Sequence, residues 1–179
     1  MTEPGKLPPD LAALHRELGI PADYAARRGL PLHANAEAST LVTVARKADG
    51  TPVPLIAPAA AAWTNLHGAA ARDGLVLTAI SGYRSVGHQA DLIRRKLTAG
   101  QSIHTILVVM AAPGFSEHHT GRALDLGTPD YPDLEEAFAD SPAFAWLGRR
   151  AADFGFRLSF PPGNPSGFIY EPWHWCWVE

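Results

Sequence analysis

Histidine and carboxylate donors gather at two places in the chain: Ser116-Glu117-His118-His119-Thr120-Gly121-Arg122-Ala123-Leu124-Asp125, and Tyr170-Glu171-Pro172-Trp173-His174-Trp175. His118 and Asp125 stand seven positions apart, which is the wrong spacing for the helical histidine pair of an HExxH site. A loop running into a strand suits them better. Gly121 permits the turn, and on the following strand Ala123 and Asp125 point to one face. An imidazole nitrogen and a carboxylate oxygen are a mixture that zinc accepts. Two donors make a poor site, so a third is needed, and His174 is the expected one. Two histidines and a carboxylate leave a fourth tetrahedral position for water, the arrangement of a catalytic zinc and not a structural one. Glu171 is the natural base for the proton of that water. It stands three residues from His174, so a regular strand would turn the two to opposite sides. The reading therefore requires a bulge, which Pro172 could mark. Arg84, in Ser81-Gly82-Tyr83-Arg84-Ser85, sits at an expected strand-to-helix junction and offers a guanidinium to a carboxylate or a developing oxyanion.

Composition narrows the chemistry further. Cys176 is the only cysteine, which excludes an intrachain disulfide and a thiolate zinc cluster and leaves histidine and carboxylate as the metal donors. Acidic residues outnumber basic ones 18 to 15 and the longest basic run is Arg94-Arg95-Lys96, read as the solvated side of a helix; nucleic-acid binding is disfavoured. No apolar run approaches the roughly 20 residues of a membrane span. Met1 to Asp10 has no apolar core of the kind a signal peptide needs. The sequence as it stands therefore reads as cytoplasmic, with periplasm or cell envelope as the alternative location.

The elements that must position these groups are expected within one domain, residues 1–179, whose first 39 residues form a helical lead-in. Asp10 is read as an N-cap for a helix from Leu11 to Leu18, and a second short helix runs from Ala22 to Arg28. Strands from Thr40 to Ala45 and Pro52 to Leu55 flank an Asp49-Gly50 turn. A helix follows from Ala57 to Asp73, then a buried strand from Leu75 to Ser81 and an amphipathic helix from Ser85 to Thr98. The stretch from Ile103 to Ala111 fits strand or helix equally. A strand from Arg122 to Leu126, helices from Leu134 to Phe138 and Pro142 to Phe154, and a Pro/Gly-rich loop from Phe160 to Phe168 come next. The last strand spans Ile169 to Val178, with Trp173, Trp175 and Trp177 sharing one face as core or pocket wall. Without regular βαβ alternation, the pattern predicts an α+β fold with a small antiparallel sheet. His15, His33, His67, His88, His104 and His119 are read as surface or satisfied core residues, with no role for His119 or Arg122. Cys176 is read as a small buried hydrophobe.

The pattern Ser116-x-His118-x-x-Gly121-x-Ala123-x-Asp125, followed by Glu171-x-Trp173-His174, resembles the signature of VanY-type D-alanyl-D-alanine carboxypeptidases. These belong to a wider metallopeptidase group that includes lysostaphin and the hedgehog signalling domain. The resemblance covers about residues 75–177 and takes in Tyr83-Arg84-Ser85 and Gln89. It implies a sheet of about four antiparallel core strands flanked by helices and carrying zinc on His118, Asp125 and His174. It also implies Glu171 as catalytic base and Arg84 holding substrate beside the scissile bond. Ser116 and Gln89 would bind the terminal D-alanine, with Tyr83 and Trp173 also at the substrate site. The implied reaction is hydrolysis of the terminal D-alanine bond, D,D or L,D, of a peptidoglycan stem peptide or muropeptide. One alternative is a peptidoglycan endopeptidase of endolysin type. Another is a non-catalytic zinc-stabilised binding module, against which the presence of both Glu171 and Arg84 counts. A serine hydrolase built on Ser116 would lack the G-x-S-x-G elbow. Nothing in the sequence fixes the oligomeric state.

Overall fold

Two antiparallel sheets organise the chain, and the donors converge on the larger one. The computed structural model describes residues 7–178. The smaller sheet is a hairpin of β1 (Leu41–Arg46) and β2 (Pro52–Ile56), closed at Asp49, whose carboxylate accepts from Thr51 N–H at 2.9 Å. The larger sheet has the order β3-β4-β6-β5, formed by β3 (Thr78–Ser81), β4 (Ala123–Gly127), β5 (Phe156–Leu158) and β6 (His174–Trp177). Among the described residues six α-helices flank the sheets: α1 (Pro9–Glu17), α2 (Tyr24–Arg28), α3 (Ala57–Arg72), α4 (Val86–Thr98), α5 (Ile103–Val109) and α6 (Pro142–Arg150). The fold is α+β, as the element order predicts.

All five residues of β4 are buried, and Asp125 is the one charged side chain among them. A buried carboxylate in an otherwise apolar central strand needs a compensating partner, which is the physical reason to look for a cation there. Leu124 and Leu126 of β4 pack with Leu55, Trp63, Leu66, Trp146 and Trp175 in a core between the sheet, α3 and α6. A second core joins Leu18, Ile20 and Tyr24 to Ile93, Ile106 and Phe115. Phe115 directly precedes the donor-bearing loop, so that loop is anchored in one core while β4 runs through the other. Full burial of one such side chain contributes roughly 1.5–3 kcal/mol.

Several elements depart from the sequence reading for identifiable reasons. Asp10 lies inside the first turn of α1; Pro8 is the N-cap, and Pro9, which has no N–H to leave unpaired, starts the helix. Strand structure is confined to Thr78–Ser81 and His174–Trp177, so the expected strands from Leu75 and from Ile169 are both too long. Leu134 has φ 59°, which no helix allows, and a short 3-10 turn begins only at Glu136. Ile103–Val109 is a helix, with Ser102 Oγ accepting from Thr105 N–H at its start. Strand β5 has no counterpart in the sequence reading. Of the expected 39-residue lead-in, residues 1–6 lie outside the described residues, and His15, Tyr24, His33 and Ala36 bond to residues 112–119 of the donor loop and its approach.

Candidate metal centre

Register places two of the three donors face to face. Asp125 on β4 is the direct partner of His174 on β6, and opposed residues on adjacent antiparallel strands hold their Cβ atoms about 4.5–5.5 Å apart. His118 comes from the 3-10 turn Glu117–Thr120, which ends at Gly121 with φ 68°. A Cβ at Gly121 would come within 2.9 Å of Ile56 Cγ2, so both the turn and the close approach of β2 require glycine. The three side chains are buried, and their donor atoms all lie within 4.8 Å of one another. His118 Nε2 stands 3.3 Å from Asp125 Oδ2, and His174 Nδ1 stands 3.2 Å from Asp125 Oδ1. Bonds of about 2.0–2.1 Å to a tetrahedral zinc set its donors roughly 3.3–3.4 Å apart, so these separations fit. Asp125 Oδ1 is sealed from solvent without an aligned hydrogen bond, as a carboxylate oxygen directed at a cation would be.

The outer partners fix which nitrogen each ring presents. His118 Nδ1–H donates to Gly82 O at 2.7 Å, leaving Nε2 for the centre. That contact depends on Gly82, where a Cβ would collide with Pro54 O. His174 turns Nε2 to Glu117 Oε2 at 3.0 Å and so keeps Nδ1 toward Asp125. Glu117 also accepts from Arg157 Nη2 at 2.8 Å and from Ser159 Oγ at 2.5 Å. The two imidazoles stand edge to face, 4.9 Å between centroids.

Charge in this buried site is strongly biased. Burial opposes ionisation of Asp125, but His118 and His174 outweigh it and hold the carboxyl far below the ordinary range. Burial likewise works against a charged His174, yet the carboxylates of Asp125 and Glu117 raise it to about 10 in the protein alone. A metal ion competes with that proton for the same nitrogen. Glu171 goes the other way: burial, with Asp125 adding to it, lifts the carboxyl to about 7 against the pull of His174 and Arg84. Its Oε2 lies 3.8 Å from His174 Nδ1, on the donor side of that ring. The required bulge is absent. A tight turn through Pro172 and Trp173, closed by His174 N–H to Glu171 O at 3.1 Å, brings the two side chains together instead. Arg84 carries a buried Nε with no hydrogen-bond partner among the described residues; burial weighs against its charge, and Asp125 and Glu171 offset that.

These groups open into a cleft of about 360 Å³ lined by Arg84, Ser116, Glu117, Glu171 and Trp173 together with the three donors. Apolar side chains of Met110, Phe160, Phe168 and Ile169 also line it, with Phe160 4.8 Å from the His174 ring between centroids. Tyr83 lines a neighbouring cavity that shares Arg84, Asp125 and Leu134 with the cleft. Gln89 is fully buried and lines neither, its amide donating to O of Ala111, a cleft-lining residue. Lys96, read as part of a solvated face, reaches the cleft wall. Glu117 and Lys96 escaped the sequence reading, while His119, read as a surface or satisfied core residue, is buried with both ring nitrogens bonded. Glu117 fills an unassigned position between Ser116 and His118, and its adjacency to a donor was the one available signal.

His119 is buried in a bridging position. Its Nδ1–H donates to Arg84 O at 2.6 Å and its Nε2 accepts from Gly114 N–H at 3.0 Å. Burial, only partly offset by the Arg84 carbonyl, lowers it to about 4, so the ring is neutral near pH 7. The amino-terminal segment grips the same loop: His33 N–H donates to Gly114 O and Ala36 N–H to His119 O, each at 2.7 Å. His15 Nε2 bonds Pro113 O at 2.8 Å, and Ala112 N–H donates to Tyr24 Oη at 3.2 Å.

Residues 54–179 match the VanY family, described as D-alanyl-D-alanine carboxypeptidase. A D-alanyl-D-alanine carboxypeptidase of Enterococcus faecalis (strain ATCC 700802 / V583) is 28% identical over 124 residues, 64% of this chain and 44% of that protein. The chain spans about half the length of the curated relatives it matches. Among solved structures, the LdcB LD-carboxypeptidase is 30% identical with a TM-score of 0.71, covering 80% of this chain and 70% of that one. A point mutant of the vancomycin resistance D,D-pentapeptidase VanY from a VanB-type resistance cassette, in complex with Zn(II), shares the fold at 24% identity and a TM-score of 0.61, over 84% and 83% of the two chains.

Proposed function

We propose that this chain, which belongs to the VanY D-alanyl-D-alanine carboxypeptidase family, is a zinc carboxypeptidase that removes the terminal D-alanine from peptidoglycan stem peptides or their precursors. The observation that carries the reading is the placement of Glu171. A carboxyl lifted to about 7 stands beside a three-donor cluster at the floor of a cleft, where a structural metal site would have no use for it. His118, Asp125 and His174 would hold the zinc, which supplies Lewis-acid polarisation and acidifies water at the site.

The residues of the chain then divide the work. Glu171 takes a proton from the attacking water as its oxygen bonds to the scissile carbonyl carbon. The same carboxyl returns a proton to the departing nitrogen, the C–N bond breaks, and free D-alanine leaves with the shortened peptide as the other product. Arg84 supplies the fixed positive charge that holds the substrate at the reacting carbonyl, and its unpartnered Nε leaves a donor to spare. Ser116 and Trp173 line the cleft beside the donors and bound the space for the terminal residue. Apolar Met110, Phe160 and Phe168 of the lining limit the water beside the donors, Phe160 packing on the His174 ring.

The family description names D-alanyl-D-alanine cleavage, whereas LdcB is an LD-carboxypeptidase, so the proposal covers both terminal bonds. The test is free D-alanine release from a muramyl pentapeptide and a muramyl tetrapeptide. Release from the pentapeptide reports D,D cleavage, and release from the tetrapeptide reports L,D cleavage. Either should stop on chelation and return when zinc is restored. No release from either substrate by zinc-loaded protein would overturn the proposal.

A further inference from the structure

We infer that Glu117 is a positioning residue for the metal, fixing the ring of His174 through its outer nitrogen, and that β5 holds Glu117 in place through Arg157 and Ser159. The inference rests on the zinc reading of the site but concerns metal affinity, not peptide chemistry. An imidazole can present either nitrogen, and the choice is set by what the other one bonds. His174 Nε2 lies 3.0 Å from Glu117 Oε2, which commits that nitrogen to carry the hydrogen and leaves Nδ1 facing Asp125. A carboxylate behind a metal-binding histidine fixes the tautomer and raises the basicity of the ring.

Glu117 is itself held at both oxygens. Oε2 is shared between His174 and the Ser159 hydroxyl, and Oε1 takes the Arg157 guanidinium at 2.8 Å. The same geometry separates Glu117 from Glu171, the other carboxylate near His174. Glu171 approaches Nδ1, the nitrogen that faces Asp125, whereas Glu117 sits behind the ring with its oxygens already engaged. Glu117 is therefore unsuited to take a proton from substrate water and well suited to orient the ring. Arg157 and Ser159 lie on or just beyond β5, outside both donor motifs, so metal affinity should answer to a strand that carries no ligand.

The experiment is a zinc affinity measurement by competition with a chromophoric chelator, run beside thermal unfolding of the metal-free protein. Glu117→Ala should weaken zinc binding about 10–100-fold. Glu117→Gln, which keeps the shape and an acceptor but loses the charge, should weaken it less. Arg157→Met, which leaves Glu117 present but loosely held, should weaken it by a few-fold. A residue that only ties the loop to β5 would lower the unfolding midpoint and leave zinc affinity untouched. Affinity within twofold of wild type in both Glu117→Gln and Arg157→Met overturns the assignment, and those two variants decide it if Glu117→Ala fails to fold. Absence of zinc binding by the wild-type protein would overturn the zinc reading itself, and this assignment with it.

Discussion

The loop that carries His118 is held from two sides, and the two sides work by different means. On the sheet side the contacts are made by side chains whose identities are forced: Asp125 and His174 in register across β4 and β6, and Glu117 behind His174. On the amino-terminal side the grip is mixed: His33 N–H and Ala36 N–H donate to carbonyls of Gly114 and His119, while the His15 and Tyr24 side chains bond Pro113 O and Ala112 N–H. His119 stands between them, bonded to Arg84 O on one side and to Gly114 N–H on the other. The family match begins at residue 54, after the amino-terminal grip. The donors thus sit on the sheet and the turn before β4, while the loop leading into them is tied down by residues that precede the family match.

Substitutions on the two sides should separate these roles. The largest effect is expected at Asp125→Ala, which removes a donor from each histidine's side and should cost more than the roughly 100-fold that loss of an outer partner can reach in zinc affinity. Circular dichroism should show the fold retained. Zinc binding of wild-type strength in that variant would place the metal elsewhere.

An intermediate effect is expected at the junction. His119→Ala leaves the Gly114 N–H and the Arg84 carbonyl buried and unpaired, at about 1–3 kcal/mol each. Denaturant unfolding should show that loss, and D-alanine release should fall as the Arg84 loop is freed, while zinc affinity stays within a few-fold. His119 also gives a pH signature. The ring is held near 4 in the folded chain against 6.5 unfolded. Between those values the unfolded chain binds more protons, so stability declines as pH falls from about 6.5 toward 4. His15, lowered by burial as well, adds to the same slope. His119→Ala should flatten the slope; an unchanged slope would remove His119 from the account.

The smallest effect is expected from the brace itself. Asn35 Oδ1 accepts from Val86 N–H at 2.8 Å at the start of α4. Asn35→Ala should cost about 1 kcal/mol, as loss of a helix cap does, and leave zinc affinity unchanged. A loss of zinc affinity in Asn35→Ala would mean that the two sides are not separable.

What the sequence made legible follows the same division. His118, Asp125 and His174 could be found because few residue types bind zinc and their spacing forbade a helix. Glu171 could be paired with His174, but not by the route expected: a turn at Pro172 and Trp173 does what a bulge was required to do, and residue types do not distinguish the two. The α+β class and α3, α4 and α6 followed from apolar periodicity and caps. Strand β5 is three residues long and its pattern is too short to signal. Leu134, read as the start of a helix, sits instead at φ 59° in the turn before the 3-10 helix that begins at Glu136. His119 and the bonds of His33 and Ala36 were invisible, since a backbone donor leaves no mark on composition and a buried histidine looks like any other. Gln89, to which the resemblance gave a substrate role, is buried with its amide on Ala111 O, directly behind the cleft lining.

The central claim is that Glu171 is the base of a zinc-dependent hydrolysis, and Glu171→Gln tests it most directly. The measurement pairs zinc content per chain with kcat for D-alanine release from the better muramyl peptide, taken across pH. The account predicts wild-type zinc content and a kcat lower by about 10²–10⁴-fold. In the wild-type protein the rate should rise with pH as Glu171, buried and lifted to about 7, loses its proton, and the variant should lack that limb. A Glu171→Gln enzyme that binds zinc and turns over within a few-fold of wild type would contradict it.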